Sequence, residues 1–425
     1  MTMLDNQEKT IVQTVEDLAD DIVDFTCRLV KEPSTLGNEA SAVALMKSEL
    51  EKLSFSPVMV PIDPSTLADH PGFAPVPWNY ENKNNVAAVR PPDGSGGRSV
   101  IFNGHLDVVD PEPAAFWDTD PFEPVMRDGR IYGRGAGDMK SGVAAMTYAV
   151  HAVAKAGFGL RAPVTLEAVI EEECCGNGAL ACVAAGYDAD AVLIPEPFGP
   201  TILTSQLGVL WFKVTVEGKP VHVLEASAGT NAIEKSFQIV TALRRLETEL
   251  NQSGIPEEYR GIPHPINLNI GIINGGNWPS TVPAKSEMHC RLSYFPGTGF
   301  EELAGKIRAT IEAAQSEDPW LAENSPVVEF YGFRSDGHTV SRDVPAFDTL
   351  NACHKSLSGR DAEAYVATCT TDLRAFHFFG NGDCTCFGPS GGNYHGANEW
   401  VDIKSIVHTA KTYALFLARW CRLAA

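Results

Sequence analysis

The chain has 425 residues, of which 44% are hydrophobic and 20% charged, and its formal net charge is -21 at pH 7. This is ordinary globular composition, long enough for two domains or for one large α/β domain with an insertion. The acidic excess disfavours nucleic acid and anionic membrane surfaces as partners, because both attract Lys and Arg.

The location of the protein is predicted from what the sequence lacks. The opening residues MTMLDNQEKTIVQ are unlike a signal peptide, and no run of about 18 apolar residues suggests a membrane span. Ten cysteines in a chain of this length are too sparse for a disulfide scaffold. We therefore expect a reduced, cytoplasmic protein.

The first half of the chain alternates helical and strand patterns. Apolar residues recur at helical spacing from about residue 11 to 31, and again in GNEASAVALMKSELEKLSF. NNVAAVR and SVIFNGH read as strands, followed by a helix in DMKSGVAAMTYAVHAVAKAG and buried strands in APVTLEAVI and DAVLIPEP. This alternation predicts an α/β fold with a mostly parallel central sheet and helices on both faces.

The pattern changes at about residue 206. VLWFKVTVEGKP, INLNIGIING and SEMHCRLSYF alternate apolar and polar residues, and two amphipathic helices are expected, one around residues 233–246 and one in GFEELAGKIRATIEAAQS. These elements predict a small α+β sandwich with one sheet face covered and the other free. We expect this insertion to cover residues 206–321 and to split an α/β domain of residues 1–205 and 322–425.

Residues suited to chemistry follow the predicted strands. His105 and Asp107 come after SVIFNGH, at the end where open α/β sheets bind ligands. Asp138 follows a glycine-rich turn and opens a helix, where a carboxylate either caps the helix or bridges two cations. Glu172 and Glu173 belong to a triple glutamate after APVTLEAVI, and only an opposing positive charge makes such a cluster tolerable.

Two further donors complete a set. Glu196 ends the strand DAVLIPEP, and His395 lies in a glycine-rich loop before the last helix. The nitrogen and oxygen donors of this set are those of a two-zinc site. Each member alone has an ordinary alternative, such as a capped strand end or a helix cap. The full set of predicted metal ligands is His105, Asp138, Glu173, Glu196 and His395.

Several stretches together carry a family resemblance: NGHLDVV, GRGAGDMKSG, EEECCGNGA, PEP, VEGKPVHVLEASAGTNAI and GPSGGNYHGANEWV. The sequence resembles the co-catalytic zinc amidohydrolase and metallopeptidase family that includes acetylornithine deacetylase, succinyl-diaminopimelate desuccinylase and carboxypeptidase G. The resemblance spans almost the whole chain. It implies a zinc-peptidase-like catalytic domain interrupted by a lid and dimerisation domain, and therefore a homodimer.

The resemblance also implies a role for each predicted ligand. Asp138 would bridge two divalent metals, zinc first, with cobalt or manganese able to substitute. His105 and Glu196 would complete one metal site, and Glu173 and His395 the other.

Catalytic and substrate roles are implied in the same way. Glu172 would be the general base, Asp107 a supporting carboxylate, and His222 a lid residue that steadies the developing oxyanion in the partner subunit's site. Without the resemblance, His222 reads as a surface residue in a turn. Substrate contacts are implied for Arg291, Arg374 and Asn231, whose ordinary alternatives are a surface residue, a packed residue and a helix cap.

The expected activity is hydrolysis of the amide bond of an N-acyl amino acid or a related small carboxylate-bearing amide. A dipeptidase or exopeptidase of the same family is the alternative, and a non-catalytic binding relative is a remote one, because the ligand set and the base are intact. Cys174 and Cys175 depart from the family pattern beside a ligand, and packing, a redox role or competition for the metal could explain them.

Overall fold

The computed structural model describes residues 4–111 and 113–424. Within them the helices are α1 (Asn6–Asp17), α2 (Ala19–Lys31), α3 (Ala40–Lys52), α4 (Pro64–Leu67), α5 (Ser141–Lys155), α6 (Asn177–Ala184), α7 (Ala232–Leu250), α8 (Phe300–Ser316), α9 (Pro319–Glu323), α10 (Pro345–Ser358), α11 (Leu373–Phe379) and α12 (Ile403–Phe416).

The strands of the described residues are β1 (Val58–Pro61), β2 (Asn84–Arg90), β3 (Val100–His105), β4 (Val125–Arg127), β5 (Arg130–Tyr132), β6 (Gly159–Leu160), β7 (Val164–Val169), β8 (Ala191–Ile194), β9 (Thr201–Gln206), β10 (Gly208–Glu217), β11 (Leu268–Gly275), β12 (Lys285–Tyr294), β13 (Val327–Ser335), β14 (His338–Thr339), β15 (Glu363–Ala367), β16 (Asp383–Cys386), β17 (Gly391–Gly392), β18 (Trp400–Asp402) and β19 (Leu423–Ala424). None of the helices in the described part of the chain is long and apolar enough to cross a membrane.

The central sheet has the strand order β1-β2-β7-β3-β8-β16. Strands β7, β3, β8 and β16 are parallel, while β1 and β2 form an antiparallel edge. Every residue of β3, β7 and β8 is buried, because successive side chains enter two cores on opposite faces. Helices α5 and α12 contribute to one core, and α6 and α11 to the other. The predicted α/β fold with a mostly parallel sheet is confirmed.

Strand register brings the predicted site residues to one edge of this sheet. His105, the last residue of β3, lies opposite Val169, the last residue of β7, and the triple glutamate begins two residues later. β8 pairs with β3 on its other side and ends two residues before Glu196. Parallel strands share a common carboxyl edge, so these residues meet there.

A second, antiparallel sheet has the order β11-β12-β10-β13. Alternate residues of β10 and β12 pack with α7 and α8 in a separate core, and the residues between them lie on the opposite, open face. β13 pairs with β10, so the sheet extends past residue 321, where the sequence pattern placed the end of the insertion. The segment VVEFYGFRS, which forms β13, is therefore part of the small sheet. We propose Ser335 as the carboxyl-terminal boundary of the inserted region.

Candidate metal centre and adjoining cleft

His105 is held at the end of β3 in a defined orientation. Its Nδ1 lies 2.9 Å from the main-chain carbonyl oxygen of Asp107. A carbonyl only accepts hydrogen bonds, so Nδ1 donates, and in the neutral imidazole Nε2 has a lone pair for a ligand. Nε2 faces the carboxylates of Asp138, at 3.1 Å, and Glu196, at 4.0 Å.

The Asp107 carboxylate braces the turn that carries the glutamates. It lies 3.6 Å from Nδ1 of His105. Its two oxygens accept hydrogen bonds from the main-chain N–H groups of Glu172 and Glu173, at 3.3 and 3.1 Å. Asp107 therefore fixes the backbone of the turn, and its main-chain carbonyl rather than its carboxylate orients the imidazole.

Asp138 lies between two histidines. One carboxylate oxygen is 3.1 Å from Nε2 of His105, and the other is 3.5 Å from Nε2 of His395. His395 is also 3.1 Å from Glu173. Single ligand atoms of His105, Asp138 and Glu173 lie within 4.8 Å of one another. A carboxylate that presents one oxygen to each of two imidazoles has the arrangement expected of a ligand that bridges two metal ions.

The three glutamates point in different directions because the chain turns at Glu171. Glu171 has a φ of +69°, in the left-handed region, so the extended alternation of β7 ends there. Its side chain accepts hydrogen bonds from Trp78 and Lys83, away from the histidines. Glu173 instead faces His395, and Glu172 lies 3.8 Å from Arg374. Three neighbouring carboxylates thereby occupy three separate environments.

Burial and charge shift the titration of the site. Burial raises the pKa of both Glu172 and Glu196 well above that of a free glutamate, and neighbouring carboxylates add to the effect. The charge of Glu173 is the main reason that the pKa of His395 rises to about 11. Burial favours the neutral form of Asp138, but hydrogen bonds from both histidines outweigh it and lower its pKa. This concentration of buried carboxylates suits divalent cations.

Sequence reasoning missed Glu399, which holds the turn of Asp138. One of its oxygens accepts the N–H groups of Gly137 and Asp138, both at 2.9 Å. The other accepts the N–H of Gly135 and a 2.6 Å hydrogen bond from Arg134. The pairing of β18 with β5 brings Glu399 there across more than 260 residues of chain, so no local motif signals it.

Arg374 is buried beside the proposed base. It donates a 2.8 Å hydrogen bond to the main-chain oxygen of Thr371 and lies 3.6 Å from Asp372. Its guanidinium is 3.8 Å from Glu172 and 5.0 Å from the ring centre of Phe333. Arg374 therefore lies against the carboxylate of Glu172, and it does not line the cleft described next.

A cleft of about 350 Å³ connects the metal centre with the small sheet. Glu172, Glu173 and His395 line it, together with Arg291 of the small sheet. Burial lowers the pKa of Arg291. Its guanidinium makes one hydrogen bond within the described residues, a long one of 3.4 Å to the main-chain oxygen of Asn267. A guanidinium with free donors in a cleft suits a substrate carboxylate.

The structure does not bring His222 and Asn231 to this cleft. His222 is exposed, and its Nδ1 accepts a hydrogen bond from the N–H of Leu224. Asn231 caps α7 by accepting from the N–H groups of Ile233 and Glu234, which is the ordinary alternative named for it. Any catalytic role for these residues requires a second subunit or a movement of the small region.

Cys174 and Cys175 lie on the side of the turn away from the histidines. Their sulfur atoms are 3.9 Å apart, and Cys175 donates to a carboxylate oxygen of Glu171 at 3.1 Å. They pack with Ala74 and Trp211. Burial raises the pKa of Cys175, which disfavours the reactive thiolate. Packing accounts for both residues.

These features define a class of protein. Histidines and carboxylates converge at the carboxyl edge of a parallel sheet, next to a cleft lined by a separate buried glutamate, as in metal-dependent hydrolases. The model of Peptidase family M20/M25/M40 matches residues 101–419. The chain belongs to peptidase family M20/M25/M40. The predicted family, and with it the predicted class of amide-cleaving hydrolase, is confirmed.

Curated relatives cover most of the chain. N-formyl-4-amino-5-aminomethyl-2-methylpyrimidine deformylase of Bacillus subtilis is 28% identical over 82% of this chain and 86% of the relative. Succinyl-diaminopimelate desuccinylase of Cupriavidus necator is 25% identical over 92% of this chain and 97% of the relative.

Solved structures share the fold. The di-peptidase Dug1p from Saccharomyces cerevisiae has a TM-score of 0.81 at 16% identity, covering 97% of this chain and 98% of its own. A Bacillus subtilis protein described as a dinuclear metal-binding peptidase of the M20 family has a TM-score of 0.58 at 14% identity, covering 95% and 98%.

Proposed function

We propose that the chain is a zinc-dependent amidohydrolase that cleaves the amide bond of an N-acyl amino acid or a related small carboxylate-bearing amide. The observation that carries this proposal is the position of Asp138 between His105 and His395, with Glu172 held separately beside the cleft. The deformylase and desuccinylase relatives, both of which remove an acyl group, support the choice of substrate.

The donor set fits two zinc ions, because imidazole nitrogens and carboxylate oxygens are the ligands that zinc takes in catalytic sites. His105 and Glu196 would hold one ion, Glu173 and His395 the other, and Asp138 both. Cobalt or manganese could replace zinc. When bound, the ions would polarise the acyl oxygen and acidify water.

Glu172 is the proposed general base. Its carboxylate takes a proton from the water that attacks the acyl carbon, and later gives the proton to the nitrogen of the leaving amine. Burial raises its pKa, so this carboxylate takes up a proton more readily than a free glutamate does, as the proposed role requires. Asp107 fixes the backbone beneath Glu172, and Arg374 lies close enough to orient the carboxylate. Arg291 would bind the substrate carboxylate across the cleft.

We also propose that the active unit is a homodimer and that His222 acts in the partner subunit's site. Support comes from the exposed position of His222, which a second subunit could reach, and from β11 at the edge of the small sheet. Ile272 and Ile273 of β11 are about half exposed, at 51% and 49%. An unpaired, apolar edge strand is a ready surface for pairing with a second copy. A cytoplasmic location is proposed as well, and the ten free thiols support it.

A substrate panel tests the proposed function. N-formyl, N-acetyl, N-succinyl and N-carbamoyl amino acids and free dipeptides should be assayed with zinc, cobalt and manganese, using Glu172→Gln as the inactive control. Metal-dependent hydrolysis of an N-acyl amino acid is the expected result. Hydrolysis of dipeptides alone, or none by the metal-loaded protein, would contradict the proposal.

A further inference from the structure

The open face of the small sheet carries aromatic side chains where the sheet faces the metal centre. Trp211 lies on β10, and Tyr331 and Phe333 lie on the neighbouring strand β13. All three line the same cleft as Glu172, Glu173 and His395. We call Trp211, Tyr331 and Phe333 the aromatic wall.

The aromatic wall is held in a fixed arrangement. The ring of Trp211 meets Tyr331 and Phe333 edge to face, with ring centres 5.9 and 5.2 Å apart. The hydroxyl group of Tyr331 is 2.6 Å from Nδ1 of His289, which fixes that ring as well. A side chain at Gly332 would collide with Trp211, since an added Cβ would lie 2.7 Å from the indole. These contacts pre-form a surface instead of leaving three mobile rings.

Arg291 lies directly beside this surface. It is the cross-strand partner of Trp211 on β12, and such partners have their Cβ atoms roughly 5 Å apart on the same face. Its guanidinium is the group with free donors identified above. A bound molecule would therefore meet a cation and an aromatic surface next to each other, on the side of the cleft opposite the metal ligands.

Charged groups farther along the same face are already paired. Lys213 lies 2.9 Å from Glu329 and 4.0 Å from Glu287, and Glu287 lies 3.2 Å from His289. Each of these four charged or titratable side chains therefore already has an ion-pair partner. Among the charged and aromatic groups named here, those available to a ligand are thus Arg291 and the aromatic wall.

We propose that the substrate half bound by the small sheet is an aromatic amino acid, whose carboxylate pairs with Arg291 while its ring packs on the aromatic wall. This inference rests on the proposed function, since it takes the amide to be that of an N-acyl amino acid. Aromatic rings prefer edge-to-face or offset contacts with one another, which adds selectivity to simple apolar burial. In an aromatic amino acid, two carbon atoms separate the ring from the carboxyl carbon. This short separation matches Trp211 and Arg291, which are paired positions on neighbouring strands.

Catalysis tests the inference first. The ratio of kcat/KM for N-acetyl-phenylalanine to that for N-acetyl-alanine should be well above one, and Trp211→Leu or Tyr331→Leu should lower this ratio at least tenfold. Phe237→Leu is the matched control, because Phe237 is an aromatic residue of the small region that is 57% exposed and does not line the cleft. It should leave the ratio unchanged. A ratio near one in the wild type, or one unaffected by both wall variants, would overturn the inference.

Binding tests it independently of turnover. Calorimetry on zinc-loaded Glu172→Gln should compare 3-phenylpropanoate, 3-cyclohexylpropanoate and butanoate, which share a carboxylate and differ in the attached group. We expect 3-phenylpropanoate to bind at least tenfold more tightly than butanoate and more tightly than the cyclohexyl compound, with the advantage lost in Trp211→Leu. Equal affinities for the three compounds would overturn the inference that the aromatic wall binds an aromatic ring.

The two tests separate this inference from the proposed function. If no N-acyl amino acid is hydrolysed but 3-phenylpropanoate binds in a Trp211-dependent manner, the proposed function is wrong, whereas the binding of an aromatic ring by the aromatic wall is supported. If N-acyl amino acids are hydrolysed without any aromatic preference, the aromatic inference alone fails.

Discussion

The metal centre and the small region differ in how completely one chain assembles their functional residues. At the metal centre, His105, Asp138, Glu173 and His395 each lie within 3.5 Å of another member of the set. In the small region, His222 is exposed, and its side chain accepts a hydrogen bond from the N–H of Leu224, two residues away. Contacts within one chain hold the first group in place, whereas the role proposed for His222 depends on a second subunit. The family resemblance covers both places, so a motif alone does not show which chain's site a residue serves.

The largest expected effect lies within the metal centre. Glu172→Gln should lower kcat by roughly 10²–10⁴-fold, because it removes the base while preserving the shape of the side chain. Metal content should stay at the wild-type level. Glu173→Gln is the matched variant one residue away, and it should instead weaken metal binding. Exchange of these two phenotypes, measured by steady-state kinetics and metal analysis, would show that the assignment within the triple glutamate is wrong.

His222→Ala tests the role proposed for the small region in catalysis. It should lower kcat by roughly 10²–10³-fold if it behaves like other oxyanion donors, with metal content unchanged. The sharper experiment co-expresses Glu172→Gln and His222→Ala chains with different tags. A heterodimer then has one site that lacks both groups and one that keeps both, so activity should reappear. Purified heterodimers that stay inactive would place His222 within its own chain or outside catalysis.

Glu399→Gln probes the support of the metal centre. Glu399 fixes the turn of Asp138 through the main-chain N–H groups of Gly135, Gly137 and Asp138, and groups that orient ligands in this way typically contribute 10–100-fold to metal affinity. We expect a loss of roughly that size in a competition titration with a zinc chelator. Glu81→Gln, at an exposed glutamate, is the control. Unchanged affinity in Glu399→Gln would show that the turn holds its position without this carboxylate.

Asn231→Ala should have the smallest effect. Loss of the cap of α7 should lower the free energy of unfolding by about 1 kcal/mol, measured by urea denaturation. If Asn231 only caps the helix, kcat/KM should not change. A fall in kcat/KM beyond tenfold with intact folding would assign it a substrate contact, as the family resemblance implies.

The sequence predicted the central sheet and the convergence of ligands because both depend on local patterns. Apolar strands such as β3 and β7 are recognisable, and residues that follow parallel strands must meet at one edge. The divergence of the three glutamates was harder to predict, since it depends on a left-handed residue at Glu171 and on Lys83 and Trp78 from a distant segment.

Other features depended on tertiary pairing. Glu399 reaches the turn of Asp138 only through the pairing of β18 with β5. The sequence showed the alternation of β10 but did not assign β13 to the small sheet, and the place of the aromatic wall beside the predicted metal ligands follows from how the small sheet lines the cleft. The extension of that sheet to Ser335 was missed because β13 is separated from β12 by α8 and α9.

Metal stoichiometry tests the central claim, the paired site bridged by Asp138, most directly. Purified protein should be stripped with a chelator, reconstituted with zinc, freed of excess metal and measured by elemental analysis together with its activity. We predict two zinc ions per chain in the wild type and weakened binding of both in Asp138→Asn, because this carboxylate faces both histidines. A stable content of one zinc ion per chain with full activity would contradict the account.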